Sequence, residues 1–252
     1  MSEPSRTAKL DWRPTLYNQA ASAIYSNEHT EPLFELLSAQ PGERIIDLGC
    51  GTGELTLRLE RLVGNEGVIV GIDASESMLV KAKENGVANL FLGDIQNLVV
   101  PHQFKHLIGT SDVVFTNATL HWSGRPVCGR ICGHMNGLGV RCVTAHVLER
   151  RGKKVSDPWF MPQPTEYAKL LESEGFMVEH ISLNPRVITF PGPMLDFLRV
   201  LLRISFLKDL EDEEAEDIIQ EVGRICEFDH KDGTGTWSGM YVTIRFRAIA
   251  PI

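Results

Sequence analysis

Residues 45–56 read IIDLGCGTGELT, an apolar run that ends in an acid and continues into three glycines at alternate positions. Ile45 and Ile46 have the branched apolar character of a strand buried on both faces, and leucines from residue 55 onward begin the apolar content of a helix. Because glycine has no Cβ, the turn between them can take positive φ, and a ligand can approach the backbone closely. Exposed amides at the start of the helix would face that ligand, so the stretch predicts a ligand site.

The spacing of the glycines separates two classes of cofactor. A dinucleotide-binding turn has the pattern G-x-G-x-x-G, whereas here Gly53 comes one residue early and Glu54 takes the last position. A carboxylate at a helix N-terminus repels a bound phosphate, but a ligand with an ammonium and a sulfonium group tolerates it. At this point the sequence resembles the class I methyltransferases, whose motif is an acid followed by G-x-G-x-G after the first strand. The resemblance implies S-adenosylmethionine as the cofactor.

Length and composition favour a single domain over residues 1–252, since a chain with 43% hydrophobic residues can bury one sizeable core. The formal net charge of -8 does not indicate the basic surface that nucleic-acid binding usually requires, so a small-molecule substrate is favoured. The start of the chain is polar and no apolar run approaches 18 residues, which predicts a cytoplasmic protein with neither signal peptide nor membrane-spanning helix. Five cysteines, an odd number, fit reduced thiols.

An acid closes the second predicted strand. The strand over residues 68–72 ends at Asp73, which follows Gly49 at close to the roughly 20-residue offset at which an acid in such folds accepts hydrogen bonds from ribose hydroxyls. Its two carboxylate oxygens match two vicinal hydroxyls. The alternative is that Asp73 only caps the helix predicted to start near Ser75.

A further acid follows the third predicted strand. The strand over residues 87–92 leads into Asp94, which is either an ordinary turn residue or part of the site. The resemblance implies that Asp94 accepts a hydrogen bond from the adenine amino group and that the Ile95 amide reaches a ring nitrogen. Met78 either rests against adenine or packs in the core. In an open α/β sheet a ligand lies outside the carboxyl ends of the strands. Acids that recur at these ends are therefore stronger evidence for a ligand site than any single motif.

Residues 11–40 precede the first strand and concentrate aromatic side chains at Trp12, Tyr17 and Tyr25. The resemblance implies that this segment closes over the cofactor with Tyr17 as a contact, and the alternative is an aromatic staple packed on the sheet. The predicted cofactor-binding residues are Asp47, Gly49, Cys50, Gly51, Gly53, Asp73, Ala74, Met78, Asp94, Ile95, Asn117 and Tyr17.

The fourth predicted strand, residues 112–116, leads into NATLHW at residues 117–122. This stretch is similar to the segment that borders the transferred methyl group in trans-aconitate methyltransferase-like enzymes, which act on carboxyl or hydroxyl groups of small molecules. The resemblance implies that His121, Trp122 and Tyr25 face the substrate. The imidazole of His121 can take a proton from a hydroxyl acceptor, whereas a carboxylate acceptor needs no base. The alternative is that His121 is a structural residue.

The connection between Trp122 and Gly129 is shorter than the resemblance implies. Members of the family have a full crossover helix before strand five, and the return to a parallel strand needs about a dozen residues or more. Residues 133–141 resemble the segment that follows strand five, so the shortfall is a deletion rather than a divergent helix. We expect one face of the sheet to lose a covering helix, which exposes apolar surface or forces a remodelled strand five.

The C-terminal part of the chain predicts two strands with helices between them. Strand six covers residues 176–183, and strand seven covers residues 240–248 with alternating apolar and polar side chains. Residues 190–230 carry two apolar or amphipathic helical patterns, which we interpret as a helical cap over the substrate mouth.

Cysteines and histidines between residues 128 and 146 have loose metal-ligand spacing only. Cys142 and His146 fall within a predicted helix, and free cysteine commonly behaves as a small buried apolar residue. We therefore expect no metal site.

The combined prediction is an α/β fold with a doubly wound, mostly parallel seven-stranded sheet whose last strand is antiparallel. The predicted function is methyl transfer from S-adenosylmethionine to a carboxylate or hydroxyl oxygen of a small metabolite, with His121 as the catalytic candidate. The shortened connection leaves open a cofactor-binding protein without catalytic activity, acting as a partner or regulatory subunit. An NAD-linked oxidoreductase would need a third glycine at position 54.

Overall fold

The computed structural model describes residue 14 and residues 26–119 and 129–249. The predicted contacts Tyr17, Tyr25, His121 and Trp122 lie outside these residues, as does the connection at residues 123–128. No helix in the described part of the chain has the length and apolar character needed to cross a membrane.

Strands and helices follow one another in the predicted order. The strands are β1 (Arg44–Leu48), β2 (Val68–Asp73), β3 (Leu90–Leu92), β4 (Val113–Thr116), β5 (Gly129–Cys132), β6 (Met177–Thr189) and β7 (Ser238–Ile249). The helices are α1 (Asn27–Leu37), α2 (Glu54–Val63), α3 (Glu76–Glu84), α4 (Leu138–Arg150), α5 (Pro164–Ser173), α6 (Met194–Arg203) and α7 (Asp212–His230). Short 3₁₀ turns at Ile95–Asn97 and His102–Leu107 lie between β3 and β4.

The strands form a parallel sheet and an antiparallel sheet. The parallel sheet has the order β3-β2-β1-β4, and the antiparallel sheet has the order β5-β7-β6. Strand β7 runs antiparallel to both of its neighbours, and the strands divide into these two sheets instead of the single, mostly parallel seven-stranded sheet that was predicted. One parallel bridge, between Asn117 and Arg130, joins the two sheets in the described part of the chain. The carboxyl ends of β1, β2 and β4 therefore share one edge, which continues towards β5.

Apolar side chains cover both faces of the parallel sheet. On one face, α1 and α2 pack on β1, β2 and β4 through Leu33, Phe34, Ile45, Leu59, Val63, Ile69 and Phe115. On the other face, the buried side chains are Leu48, Val70, Ile72, Phe91 and Leu107. The branched apolar residues of β1 and β2 are thus buried on both sides, which is the environment of a central parallel strand.

Strand β6 is longer than predicted. The sequence ended it at residue 183, but its pairing with β7 continues through Pro185, opposite Val242, to Thr189. Proline has no N–H to donate, and an edge strand tolerates it because one side of the strand makes no ladder hydrogen bonds. Since β6 lies at the edge of its sheet, Pro185 does not end it.

Helices α6 and α7 lie between β6 and β7 in the chain, where the helical cap was predicted. Their apolar faces pack with α4 and the ends of β6 and β7 in a cluster that includes Leu198, Leu202, Ile218, Val222 and Val147. The long amphipathic helix α7 begins with three acids in its first turn, which favours a helix N-terminus.

Strand β5 does not show the exposed apolar surface that was one expected consequence of the short connection. All four of its residues are buried. Ile131 packs with Tyr167 and Leu171 of α5, and Cys132 joins the cluster around α4. Strand β5 has four residues, and Asn117, directly after β4, forms a bridge with its Arg130. The cover that a crossover helix would give comes from α4 and α5 instead.

Candidate functional site

The glycine turn is fixed against the end of β2. The amides of Gly49 and Cys50 both donate to the Ile72 carbonyl oxygen, at 2.7 and 3.0 Å. Gly49 has φ 71°, and a Cβ at this position would lie 2.1 Å from Oγ1 of Thr119. Both the backbone conformation and the approach of the segment after β4 therefore require glycine here.

Asp73 ties the end of β2 to this turn. Its Oδ2 accepts from the Gly51 amide at 2.9 Å, and its Oδ1 accepts from the Ser75 amide at 2.8 Å. The N-cap of α3 is Ser75, whose hydroxyl accepts from the Met78 amide, so the interpretation of Asp73 as the helix cap is wrong. Burial raises the pKa of Asp73, and hydrogen bonds from the backbone amides oppose that rise.

Asp47 lies at the carboxyl end of β1 with 2% of its surface exposed. The Thr56 hydroxyl on α2 donates to its Oδ2 at 2.7 Å. Burial raises the pKa of Asp47 to about 7, the Thr56 hydrogen bond opposes the rise, and the nearby charge of Asp73 adds to it. The sequence predicted Asp47 as a contact but gave no signal for Thr56, which lies in the first turn of α2.

A pocket opens over the glycine turn. Its lining includes the predicted contacts Asp47, Gly49, Cys50, Gly51 and Asn117, and also Thr52, Glu54 and Leu55. The last three were not predicted as contacts, although Glu54 was the acid that distinguished the turn from a dinucleotide site. Thr52 donates through its hydroxyl to Oε2 of Glu54 at 2.6 Å, which fixes the direction of that carboxylate.

Asn117, directly after β4, supplies a donor to the pocket. The side chain is 7% exposed, and its Oδ1 accepts from Nε of Arg130 at 2.7 Å. Its Nδ2 is buried and has no hydrogen-bond partner in the described part of the chain. Buried polar groups are nearly always hydrogen-bonded, so this N–H is available to an acceptor on a ligand.

The thiol of Cys50 is neutral in this setting. Burial raises its pKa well above the usual range, and the charges of Asp47 and Asp73 add to that effect. A neutral buried thiol is a poor nucleophile, so Cys50 contributes shape rather than reactivity.

These residues fit S-adenosylmethionine. Asp47, Glu54 and Asp73 place three carboxyl groups around a turn made of glycine, an arrangement that attracts an ammonium or a sulfonium and repels a phosphate. The unpartnered N–H of Asn117 suits the carboxylate of the same molecule.

The predicted contacts Gly53, Met78, Asp94 and Ile95 are not among the residues that line the pocket. Gly53 is the N-cap residue of α2 with φ 86°, and Met78 is buried at 3% exposure. Asp94 is exposed, and its Oδ1 accepts from the Gln96 amide at 2.9 Å, so it has the turn role that was one of its two interpretations. The contacts of Met78, Asp94 and Ile95 with adenine stay predictions.

Potential metal ligands are dispersed in the described part of the chain. No three His, Cys, Asp or Glu side chains among those residues lie close enough together to hold an ion. In the region where zinc was considered, Cys132 is buried and Cys142 is exposed on α4.

Comparison with known families finds a similarity to methyltransferases over part of the chain. Residues 39–156 match the model of the methyltransferase domain family, and this range includes the glycine turn, Asp73 and Asn117. Over this range the chain is similar to methyltransferase domains, which agrees with the resemblance at the glycine turn.

The individual relatives are also named methyltransferases. An uncharacterized methyltransferase of Schizosaccharomyces pombe is 28% identical over 195 residues, which are 68% of this chain and 72% of that protein. Trans-aconitate 2-methyltransferases of Mycolicibacterium gilvum and Deinococcus radiodurans are 37% and 33% identical over 42% and 53% of this chain. Those two alignments span 40% and 49% of the relatives, so the chain matches about half of their length or less.

Solved structures share the fold at low sequence identity. The YcgJ protein of Bacillus subtilis superposes with a TM-score of 0.51 and 15% identity over 89% of this chain and 99% of that one. Phosphoethanolamine N-methyltransferase 2 of Haemonchus contortus, in complex with S-adenosyl-L-methionine, gives a TM-score of 0.52 and 12% identity over 95% of this chain and 58% of that one. At these identities the likeness concerns the fold alone.

Proposed function

We propose that the chain transfers the methyl group of S-adenosylmethionine to a carboxylate or hydroxyl oxygen of a small metabolite. The observation that carries the proposal is the acid-lined glycine turn, whose Asp47 and Asp73 suit a cationic cofactor. The type of acceptor is supported by the two trans-aconitate 2-methyltransferases among the relatives.

The cofactor supplies an electrophilic methyl group on a sulfonium, and the protein contributes alignment and the exclusion of water. In this proposal Asp73 accepts from the ribose hydroxyls, while Asp94 and the Ile95 amide contact adenine. The Asp73 carboxylate accepts the backbone amides of Gly51, Ala74 and Ser75, and its two oxygens have lone pairs for further donors. Helices α6 and α7 form the predicted cap at the substrate mouth.

A methyl-transfer assay tests the proposal. Methyl-labelled S-adenosylmethionine is incubated with the chain and a panel of small carboxylic acids and hydroxylated metabolites, and label in the product is measured. We expect transfer to at least one acid or alcohol in the panel. Transfer to nitrogen or carbon acceptors alone contradicts the proposed acceptor class.

A second candidate is a cofactor-binding subunit without catalytic activity. The observation in its favour is the short connection between β4 and β5. Only residues 117–128 lie between these strands, and the bridge between Asn117 and Arg130 is parallel. The same assay separates the candidates when it is combined with calorimetry of S-adenosylhomocysteine. Cofactor binding without label transfer to any acceptor would favour the subunit.

A further inference from the structure

Arg130 is a buried charged side chain that lies behind the cofactor pocket. It belongs to β5, has 3% of its surface exposed, and is not among the residues that line the pocket. Arginine is almost never fully buried without partners, because the removal of its charge from water is costly. The groups that its guanidinium holds therefore indicate what the residue does.

Two hydrogen bonds fix the direction of the guanidinium. Its Nε donates to Oδ1 of Asn117 at 2.7 Å, and a terminal nitrogen, Nη1, donates to the His29 carbonyl oxygen at 2.8 Å. His29 lies in the first turn of α1, so Arg130 connects that helix with the residue directly after β4. Because the guanidinium is planar and its donors form a rigid fork, the bond to α1 also sets the direction of the bond to Asn117.

The backbone of Arg130 holds the same segment after β4. Asn117 and Arg130 form a parallel bridge, and the Ala118 amide donates to the Arg130 carbonyl oxygen at 2.9 Å. Ala118 has φ 56°, in the left-handed region that a residue with a Cβ seldom occupies. Since β5 fixes the backbone here, the main freedom left to Asn117 is rotation of its carboxamide group.

The guanidinium selects one of the two orientations of this carboxamide. A carboxamide presents an acceptor oxygen and a donor nitrogen of similar shape, whereas a guanidinium presents donors only. Arg130 therefore bonds to Oδ1 and directs Nδ2 away from itself. This Nδ2 is buried and has no hydrogen-bond partner in the described part of the chain, and Asn117 lines the pocket. A hydrogen bond from a cation to Oδ1 also polarises the group, which strengthens its N–H as a donor.

We propose that Arg130 is a positioning residue for the cofactor, which holds the Asn117 carboxamide so that Nδ2 donates to the carboxylate of S-adenosylmethionine. This inference rests on the proposed function for the identity of the ligand, and it adds a role for a residue that does not touch it. The pocket lining includes the acids Asp47 and Glu54, so the carboxylate of the ligand needs a donor of fixed direction. A carboxamide free to rotate would also present its oxygen, and two acceptors repel each other.

Calorimetry with two ligands tests this role. S-adenosylhomocysteine and its decarboxylated analogue differ in the carboxylate alone, so the ratio of their affinities reports on the group that binds it. We expect Arg130→Met and Arg130→Gln each to lower the preference for S-adenosylhomocysteine by about tenfold or more, the scale of a lost hydrogen bond to a charged group. The affinity for the analogue should change little. An unchanged ratio in either folded variant would overturn the proposal.

The three replacements of Arg130 differ in a useful way. Glutamine can donate or accept, so it does not select an orientation of the Asn117 carboxamide, and methionine does neither strongly. Arg130→Lys keeps a charged group that only donates, and it should retain part of the preference. Thermal denaturation shows which variants fold. A lysine variant with no more preference than the folded glutamine variant would contradict the selection of the oxygen.

Arg247→Met is the matched control. Arg247 lies on β7 of the same sheet and donates to the Leu36 carbonyl oxygen of α1 at 3.2 Å, and it pairs with Glu179. The control therefore removes an equal charge and a bond to the same helix, and the ratio of affinities should stay at the wild-type value. A fall as large as that of the Arg130 variants would assign the effect to net charge or to the docking of α1, and the positioning role would be overturned.

Variants of Asn117 test whether Arg130 acts through this residue. Asn117→Asp keeps an acceptor for Arg130 but has no N–H, so the preference should fall at least as far as in the Arg130 variants. Adding Arg130→Gln to Asn117→Ala should lower the ratio no further, because the donor is already absent. An unchanged ratio in Asn117→Asp, or additive losses in the double variant, would overturn the proposal.

These outcomes are distinct from those that test the proposed function. A preference for S-adenosylhomocysteine that depends on Arg130, without methyl transfer to any acceptor, would support the positioning role and overturn the proposed function. Methyl transfer to an acid or alcohol, with the same ratio of affinities in the wild type and the Arg130 variants, would support the proposed function and overturn the positioning role.

Discussion

Asp73 shows how one residue serves both the fold and the site. Its two oxygens already accept the Gly51 and Ser75 amides, so the carboxylate shapes the glycine turn before any ligand binds. We expect Asp73→Ala to weaken S-adenosylhomocysteine binding by roughly 2 to 3 kcal/mol, the scale of hydrogen bonds to a charged group. Calorimetry measures this change, with circular dichroism as the control for folding. A folded variant with wild-type affinity would exclude Asp73 from the cofactor site.

Asp47 is an acidic side chain in a buried position. Its pKa is raised to about 7 from 3.8, so the folded state favours the protonated form. The stability that this proton provides is fully present below pH 4 and is lost as the pH rises through about 7. An ordinary core would place a neutral side chain here, whereas a site for a cationic ligand needs the carboxylate.

Replacing Asp47 by Asn tests this balance. Asparagine preserves the shape and can still accept from Thr56, but it does not ionise. We expect the free energy of unfolding of Asp47→Asn to exceed that of the wild type by roughly 2 to 4 kcal/mol at pH 8 and to match it near pH 4. Urea denaturation of the cofactor-free proteins at both pH values measures the difference. A difference that does not vary with pH would show that Asp47 does not titrate in this range.

His121 is the catalytic residue predicted from the NATLHW stretch. If the acceptor is a hydroxyl, His121→Ala should lower turnover by about 10²-fold or more, because the imidazole takes the proton. If the acceptor is a carboxylate, turnover should depend little on this residue. Steady-state kinetics on one substrate of each kind checks both cases, and S-adenosylhomocysteine affinity is the control. Loss of cofactor binding in the variant would instead make His121 structural.

Elements whose signal is local were predictable from the sequence. The strand, glycine turn and helix at residues 45–56 have the predicted bounds within a residue or two, because the apolar pattern and the glycines are contiguous. Contacts between distant elements were not predictable. The Thr56 bond to Asp47, the Arg130 bond to Asn117 and the continuation of β6 through Pro185 all depend on which strands become neighbours.

Strand β5 depends on a glycine at its first residue. Gly129 has φ 150°, and a Cβ there would lie 2.1 Å from the Thr116 carbonyl oxygen of β4. We expect Gly129→Ala to destabilise the chain by roughly 2 to 4 kcal/mol, which combines backbone strain with a clash against main chain that cannot move aside. The matched control is Gly152→Ala, at φ 69° with no atom within 4 Å of the added Cβ. Chemical denaturation compares the two, and equal losses would show that the close approach is unimportant.

On the scale of the whole molecule, the short connection is accommodated by the way the two sheets meet. Asn117, directly after β4, forms a bridge with Arg130 of β5, and the side chains of both strands are buried or half-buried. Helices α4 and α5 lie over β5, as the packing of Cys132 and Ile131 shows. The sequence could reveal the missing helix but not this replacement, because the replacement comes from elements later in the chain.

Inserting a family-like helix and turn between Trp122 and Gly129 tests this arrangement. An uncovered sheet would gain on the order of 5 kcal/mol from three or four newly buried apolar side chains, at roughly 1.5 to 3 kcal/mol each before ordering entropy. Because β5 is already covered, we expect the free energy of unfolding to change by only about 1 kcal/mol, the scale of lengthening a loop. Urea denaturation of the two chains measures the change, with S-adenosylhomocysteine affinity as the control for an intact glycine turn. A gain near 5 kcal/mol would mean that the native connection leaves apolar surface exposed, and the cover assigned to α4 and α5 would then be insufficient.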